Sequence, residues 1–154
     1  MNFFTELFKN HIFVSAALGW CVAQVIKTLI HLLMTKTFQA ERLVGSGGMP
    51  SSHSATVCAL ATAAAFECGV QSPEFALAMI LAIIVMYDAM GVRRETGKQA
   101  QVLNDMLKIF EEMGRKGLNA DETLKEFVGH TPFQVLVGGI LGVVWAVALH
   151  YAWM

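Results

Sequence analysis

A polytopic bundle of transmembrane helices is the fold class this chain predicts, and three observations predict it. The composition is 55% hydrophobic and 15% charged, with mean hydropathy +0.53, too apolar for an ordinary water-soluble domain. The apolar residues gather into four runs of about 18 to 23 residues, and a helix of about 20 crosses a bilayer. Two of these runs carry alanine or glycine at spacings that let helices approach closely. The 154 residues are sufficient for one all-α domain covering positions 1–154, with spans at approximately 12–34, 53–70, 74–92 and 132–153.

What the composition excludes is equally useful. A formal net charge of −1 gives no electrostatic footing for nucleic acid. The three cysteines, Cys21, Cys58 and Cys68, all lie in apolar segments and read as small buried hydrophobes, not as a disulfide framework or metal site. The N-terminus lacks the basic start and small-residue cleavage site of a signal peptide.

The first segment, Met1–Lys9, puts Phe3, Phe4, Leu7 and Phe8 on one side of a short helix, as in an interfacial segment or a frayed apolar tail. Ile12–Met34 is the first span, roughly 34 Å long at about 1.5 Å per residue. Gln24, Lys27 and His31 share one of its faces, spaced i, i+3, i+7. A lysine at that depth either faces protein or water as a functional group, or snorkels to the nearer interface. Thr35–Ser52 is a polar connection ending in Gly45-Ser46-Gly47-Gly48-Met49-Pro50-Ser51-Ser52-His53-Ser54. The second span, His53–Val70, is rich in alanine (59, 61, 63, 64, 65), which predicts a central position in the bundle. Gln71-Ser72-Pro73 turns the chain into a third span that ends near Arg93 and Arg94. From Glu95 to Thr131 the chain is polar but patterned. Leu103, Met106, Leu107, Phe110 and Met113 predict an amphipathic helix resting on the membrane or the bundle. Gly114 and Gly117 break it, and a short helix from about Asp121 to Val128 ends at Gly129. Pro132–Trp153 is the last span, with Gly138, Gly142 and Ala146 as a close-packing stripe. That stripe, taken as exposed, leaves room for a homo-oligomer.

Nine of the eleven lysines and arginines fall in the two long connections, with Lys9 alone on the other side and Lys27 inside the membrane. The positive-inside rule then puts those connections in the cytoplasm and both termini outside. The same topology gathers His53, Asp88, Arg93 and His130 at the cytoplasmic face, with Lys27 roughly 10 Å inside it. A glycine- and serine-rich helix start holds anions through its unpaired amides. Two histidines beside converging cations suit phosphoryl transfer, in which one imidazole attacks phosphorus and the other handles the proton of the leaving group. No metal is required. A serine hydrolase fits less well, since Ser51-Ser52-His53 lacks a strand-turn-helix elbow. Zinc fits less well again, since His53 and His130 have no ligand cluster around them. Ser51 and Ser52 as a plain helix cap, and His130 as a plain turn residue, stay open as the bland alternative.

Three motifs in this sequence resemble a known family. They are Gly48-Met49-Pro50-Ser51-Ser52-His53-Ser54, the run Asp88-Ala89-Met90-Gly91-Val92-Arg93-Arg94-Glu95-Thr96-Gly97-Lys98-Gln99-Ala100, and Gly129-His130-Thr131-Pro132. Together they look like the divergent branch of the type-2 phosphatidic acid phosphatase superfamily, also labelled acid phosphatase/vanadium-dependent haloperoxidase-related. The resemblance implies His53, in Pro50-Ser51-Ser52-His53, as general acid, matching a P-S-G-H motif with serine in place of glycine. It implies His130 as nucleophile, matching the histidine of S-R-x5-H-x3-D. Gln134 stands where that motif has aspartate and Leu124 where it has arginine. The K-x6-R-P motif is absent as written, with Lys27 its best substitute and Arg42 a lesser one.

The expectation is therefore metal-independent hydrolysis of a lipid phosphate or diphosphate through a phosphohistidine, with no cofactor, in the cytoplasmic membrane. His130 and His53 carry the chemistry, while Lys27, Arg93, Arg94, Ser51, Ser52, Gly47 and Gly48 hold the phosphate. Asp88, Gln134 and Lys98 support them. The alternatives are a phospholipid-binding or transport protein that keeps the pocket without turnover, and a structural membrane subunit.

Overall fold

The computed structural model describes residues 2–37, 48–113 and 130–153, with only the backbone for 92–94, 111 and 112. Six helices make up the described residues: α1 (Phe3–Lys9), α2 (His11–Thr35), α3 (Ser52–Cys68), α4 (Pro73–Met90), α5 (Val92–Glu112) and α6 (Pro132–Trp153). No strand occurs among them. Gly47, Arg42, Gly114, Gly117, Leu124, Gly129 and the expected helix from Asp121 to Val128 lie outside the described residues.

The helix ends follow from local chemistry. Asn10 caps α2 by accepting from the Phe13 amide at 3.0 Å, and Ser72 caps α4 by accepting from the Phe75 amide at 3.1 Å. Pro73 fills the first position of α4, where no amide donor is needed. At the other end of α2, Lys36 turns into the left-handed region, with φ 55°, and its amide donates to the Leu32 carbonyl.

Three helices are long and apolar enough to cross a membrane: α2, the helical stretch beginning with α4, and α6. α3 is shorter, 17 residues, and packs against all three. It is the centre of the bundle, as its alanines predict. Ala55, Ala59, Ala61, Ala63 and Ala64 are buried along it, and because its neighbours screen it from lipid it needs little apolar bulk of its own.

The contacts that set α3 in place are made by glycines. Gly19 of α2 lies over Ala59, while Gly138 and Gly142 of α6 meet the backbone of Ser51 and Ala55 so closely that a methyl at either would overlap those carbonyls. Gly138, Gly142 and Ala146 are accordingly buried. The stripe expected to be exposed is spent inside the bundle on α3, and it offers no surface to a second copy.

α5 continues the direction of chain growth beyond Gly91, whose amide donates to the Tyr87 carbonyl and whose carbonyl accepts from the Glu95 amide. Among the described residues its one helix partner is α4. Gly97, Ala100 and Asn104 are its buried residues, while Leu103, Met106, Phe110 and Met113 are exposed, so the apolar face does not rest on the bundle. α1 likewise turns Phe3, Phe4 and Phe8 outward.

Candidate functional site

The site begins with the cap of α3. Ser51 is fully buried, its hydroxyl oxygen accepting from the Ser54 amide at 3.3 Å and the Ser54 hydroxyl at 3.0 Å. The Ser51 amide donates in turn to the Gln134 carbonyl in the first turn of α6, at 3.2 Å. Two helix starts are thus fastened together at one end of the bundle. Ser51 builds that junction, and its oxygen is already engaged twice.

Lys27 comes to the same point from α2. It is 2% exposed, and its ammonium donates to the Ser52 hydroxyl at 3.4 Å. The side chain does not reach out to an interface but is enclosed by protein. Gly48, at φ +82°, lies over the Lys27 stem, with the Lys27 Cγ 3.4 Å from where a Cβ would stand. The Met49–Pro50 peptide bond after it is cis. The N-terminal end of α3 carries the positive end of its helix dipole, so Lys27 and α3 add their positive potentials at one place.

His130 and His53 face each other across this corner, ring centroids 6.4 Å apart at 60°. His130 is 2% exposed, and its amide donates to the Ala89 carbonyl at the end of α4. Asp88, half-buried, precedes that residue. Four elements, α2, α3, α4 and α6, therefore meet at the two histidines.

The first turn of α6 orients the His130 ring. The Thr131 hydroxyl accepts from the Gln134 amide at 3.3 Å, and the Gln134 side-chain oxygen accepts from the Thr131 amide at 3.0 Å. This is a reciprocal capping box. The Thr131 N–H can meet only an acceptor, which identifies the Gln134 atom as Oε1. The same Oε1 lies 3.3 Å from Nδ1 of His130. Since Oε1 can only accept, this contact is a hydrogen bond when Nδ1 carries a proton, and in the neutral ring that tautomer puts the lone pair on Nε2.

Lys98 is on the exposed side of α5, paired with Glu95 at 2.6 Å. The side chains of Arg93 and Arg94, and all of Gly47, lie outside the described residues. Residues with a part in the geometry to which sequence reasoning gave no role are Thr131, Ser54 and the Ala89 carbonyl. For Thr131 a signal existed: Thr131-Pro132-Phe133-Gln134 has the spacing of a capping box with proline at the first helical position. Among the described residues no group of three histidine, cysteine or acidic side chains is arranged to hold a metal ion.

Comparison with known proteins agrees with the motif reading at the level of the family. A family model described as the Divergent PAP2 family matches residues 8–145. The chain is 37% identical, over 157 residues, to the uncharacterized membrane protein YuiD of Bacillus subtilis strain 168, covering 97% of this chain and 99% of that one. No solved structure matches.

Proposed function

Because the chain belongs to the divergent PAP2 family, we propose that it hydrolyses a lipid phosphate or diphosphate through a phosphohistidine, at the cytoplasmic face of the cytoplasmic membrane. The observation that carries this reading is the approach of His53 and His130, 6.4 Å between centroids, at a corner where Lys27 is buried against the start of α3. At that separation both imidazoles reach one small group held at the corner, whose phosphorus would stand about 3–3.5 Å from the attacking nitrogen.

In the first step Nε2 of His130 uses its lone pair to attack phosphorus. The bond from phosphorus to the lipid oxygen breaks, and His53 gives that oxygen a proton. In the second step His53 takes a proton from water, whose oxygen attacks phosphorus and releases His130 and inorganic phosphate. Lys27 and the first turn of α3 neutralise the phosphoryl oxygens, with Ser52 positioned by Lys27 and Gly48 closing the loop above it. Arg93 and Arg94 take the role of additional clamps, Asp88 that of their orienting acid. Gln134 favours the tautomer in which Nε2 carries the lone pair, in place of the aspartate of the wider superfamily.

Purified protein with a panel of lipid phosphates tests this. Phosphate release that survives chelator and disappears in His130→Ala supports it. A second reading rests on Gln134, which orients His130 but brings no charge to balance an imidazolium: a protein that binds phospholipid headgroups, or moves them, without turnover. Headgroup binding with no phosphate release from any lipid favours that reading.

A further inference from the structure

α4 has 18 residues, and at about 1.5 Å per residue it rises about 27 Å, close to the ~30 Å of a bilayer's hydrocarbon core. Leu77, Ile80, Ile84 and Tyr87 are exposed along its outer side, as a lipid-facing surface requires. Its last turn stands at the level of the histidine pair, since the Ala89 carbonyl accepts from the His130 amide. Gly91 then turns the chain, with ψ −89°, and α5 starts at the next residue. α5 therefore begins where hydrocarbon gives way to headgroups, with no linker to carry it away.

The two sides of α5 are unlike. Val102, Met106, Ile109 and Met113 follow one another at helical spacing and form one stripe, with Leu103 and Phe110 along its edge. All six are exposed. The buried residues are Gly97, Ala100 and Asn104, and at about 100° per residue they lie on the side opposite the stripe. A helix on a water-soluble protein turns its large apolar side chains inward. α5 turns them outward and its small ones inward. On the same outward side Lys98, Gln99, Val102 and Leu103 line an open groove of about 420 Å³, with an ammonium and an amide at one end and aliphatic chains at the other. That is the make-up of a seat for an amphiphile.

A soluble surface seldom leaves six neighbouring large apolar side chains bare. Here they follow directly on the outer side of a spanning helix, one residue beyond its end. We propose that α5 is an interfacial helix, lying in the leaflet on the histidine side with Val102, Met106, Ile109 and Met113 against phospholipid acyl chains. The groove beside Lys98 takes the upper part of one such lipid, its headgroup at the ammonium and its chain along Val102 and Leu103.

The other occupant for such a face is a second copy of the chain. Lipid is favoured by the groove, whose polar end and aliphatic flank match one amphiphile. It is favoured also by position, because Gly91 tethers the face at headgroup depth, where lipid is at hand without the loss of freedom that pairing two chains costs. The ion pair of Lys108 with Asp105 stands off the stripe, on the part of the helix left to water. An interfacial α5 anchors the end of α4 that holds the His130 amide, and so fixes the depth of the histidine corner, whether or not the site turns over.

Nitroxides attached one at a time to Val102→Cys, Met106→Cys, Ile109→Cys and Gln101→Cys test this. The full chain is used, with Cys21, Cys58 and Cys68 replaced by alanine, in nanodiscs of phosphatidylcholine and phosphatidylglycerol, and Ile84→Cys on the outer side of α4 is the lipid reference. At 102, 106 and 109 collisions with oxygen are expected to exceed those with a water-soluble nickel chelate several-fold, as at 84, with the reverse at 101. Chelate access at the three stripe positions equal to that at 101 overturns the proposal, and so does dipolar broadening between labels on two copies. The unaltered chain supplies a second measurement, free of any effect of substitution on folding. A phosphatidylcholine carrying a diazirine in its acyl chain is expected to crosslink within residues 102–113, and crosslinks confined to α2, α4 and α6 overturn the proposal as well.

Discussion

Gln134 serves two donors with one oxygen, the Thr131 amide and the His130 ring. On the proposed roles this makes its substitutions informative in opposite directions. Gln134→Ala removes the cap and the tautomer lock together. Stability is expected to fall by about 1 kcal/mol, and phosphate release by roughly 100-fold or more, as when a triad loses its orienting acid. Gln134→Glu keeps the capping box and supplies the charge that balances an imidazolium, so phosphate release from the same lipid is expected to rise several-fold. Parallel thermal unfolding and phosphate assays separate the two effects. Lys27→Met gives a different signature. It exchanges a buried cation for an apolar chain of similar length, so stability stays level or rises by about 1 kcal/mol while phosphate release falls by roughly 100-fold. Unfolding and turnover measured on one preparation test whether the two separate. At this scale much could be read in advance. The two histidines and Lys27 stand out by type and depth alone. That Ser51 fastens two helix starts together could not be read, because its partners, Ser54 and the Gln134 carbonyl, include one reached only through the fold.

Among the elements, the pair α3 and α6 carries the site, and glycines govern their distance. Gly138→Ala would push a methyl into the Ser51 carbonyl, and Gly142→Ala into that of Ala55. Each is expected to destabilise by about 1–3 kcal/mol. Gly138→Ala should also lower phosphate release, because Ser51 and Ser52 move with the backbone, whereas Gly142→Ala acts a full turn further along. Gly139→Ala is the control, since its methyl would meet the Cys58 sulfur at 3.3 Å, the end of a side chain that can turn aside. Its loss should be under about 1 kcal/mol. Melting curves of the three variants give the order directly. The four-residue spacing of these glycines was visible in the sequence as a packing stripe. Its partner was not, because spacing along one helix says nothing about which neighbour occupies the groove. For α5 the apolar pattern was equally visible, yet its large side chains are left exposed, since among the described residues its one helix partner is α4.

For the molecule as a whole, the class was the most legible property, because lipid demands what composition records: long apolar helices with few charges. Which face bears the site is a proposal resting on the lysine and arginine bias. Lys116→Cys, in a chain with Cys21, Cys58 and Cys68 replaced by alanine, is expected to resist an impermeant thiol reagent in intact cells and to react after lysis. Reaction in intact cells would reverse the orientation. At the far end of the bundle His11, Glu67 and His150 line one cavity, a polar group missed for an identifiable reason. Its members are scattered over three span ends and share no motif, so only assembly brings them together. The position of α3 has one more consequence, for how the protein is made. A helix of 17 alanine-rich residues that relies on three neighbours for shelter is a poor passenger on its own. Alanine adds little to the insertion free energy that leucine, isoleucine and phenylalanine supply. In an insertion reporter, α3 alone should be rejected by the bilayer in most chains, and α2 with α3 accepted. The helix at the heart of the bundle then becomes the one whose entry waits on its companions, so biogenesis depends on the order in which the hairpins leave the ribosome.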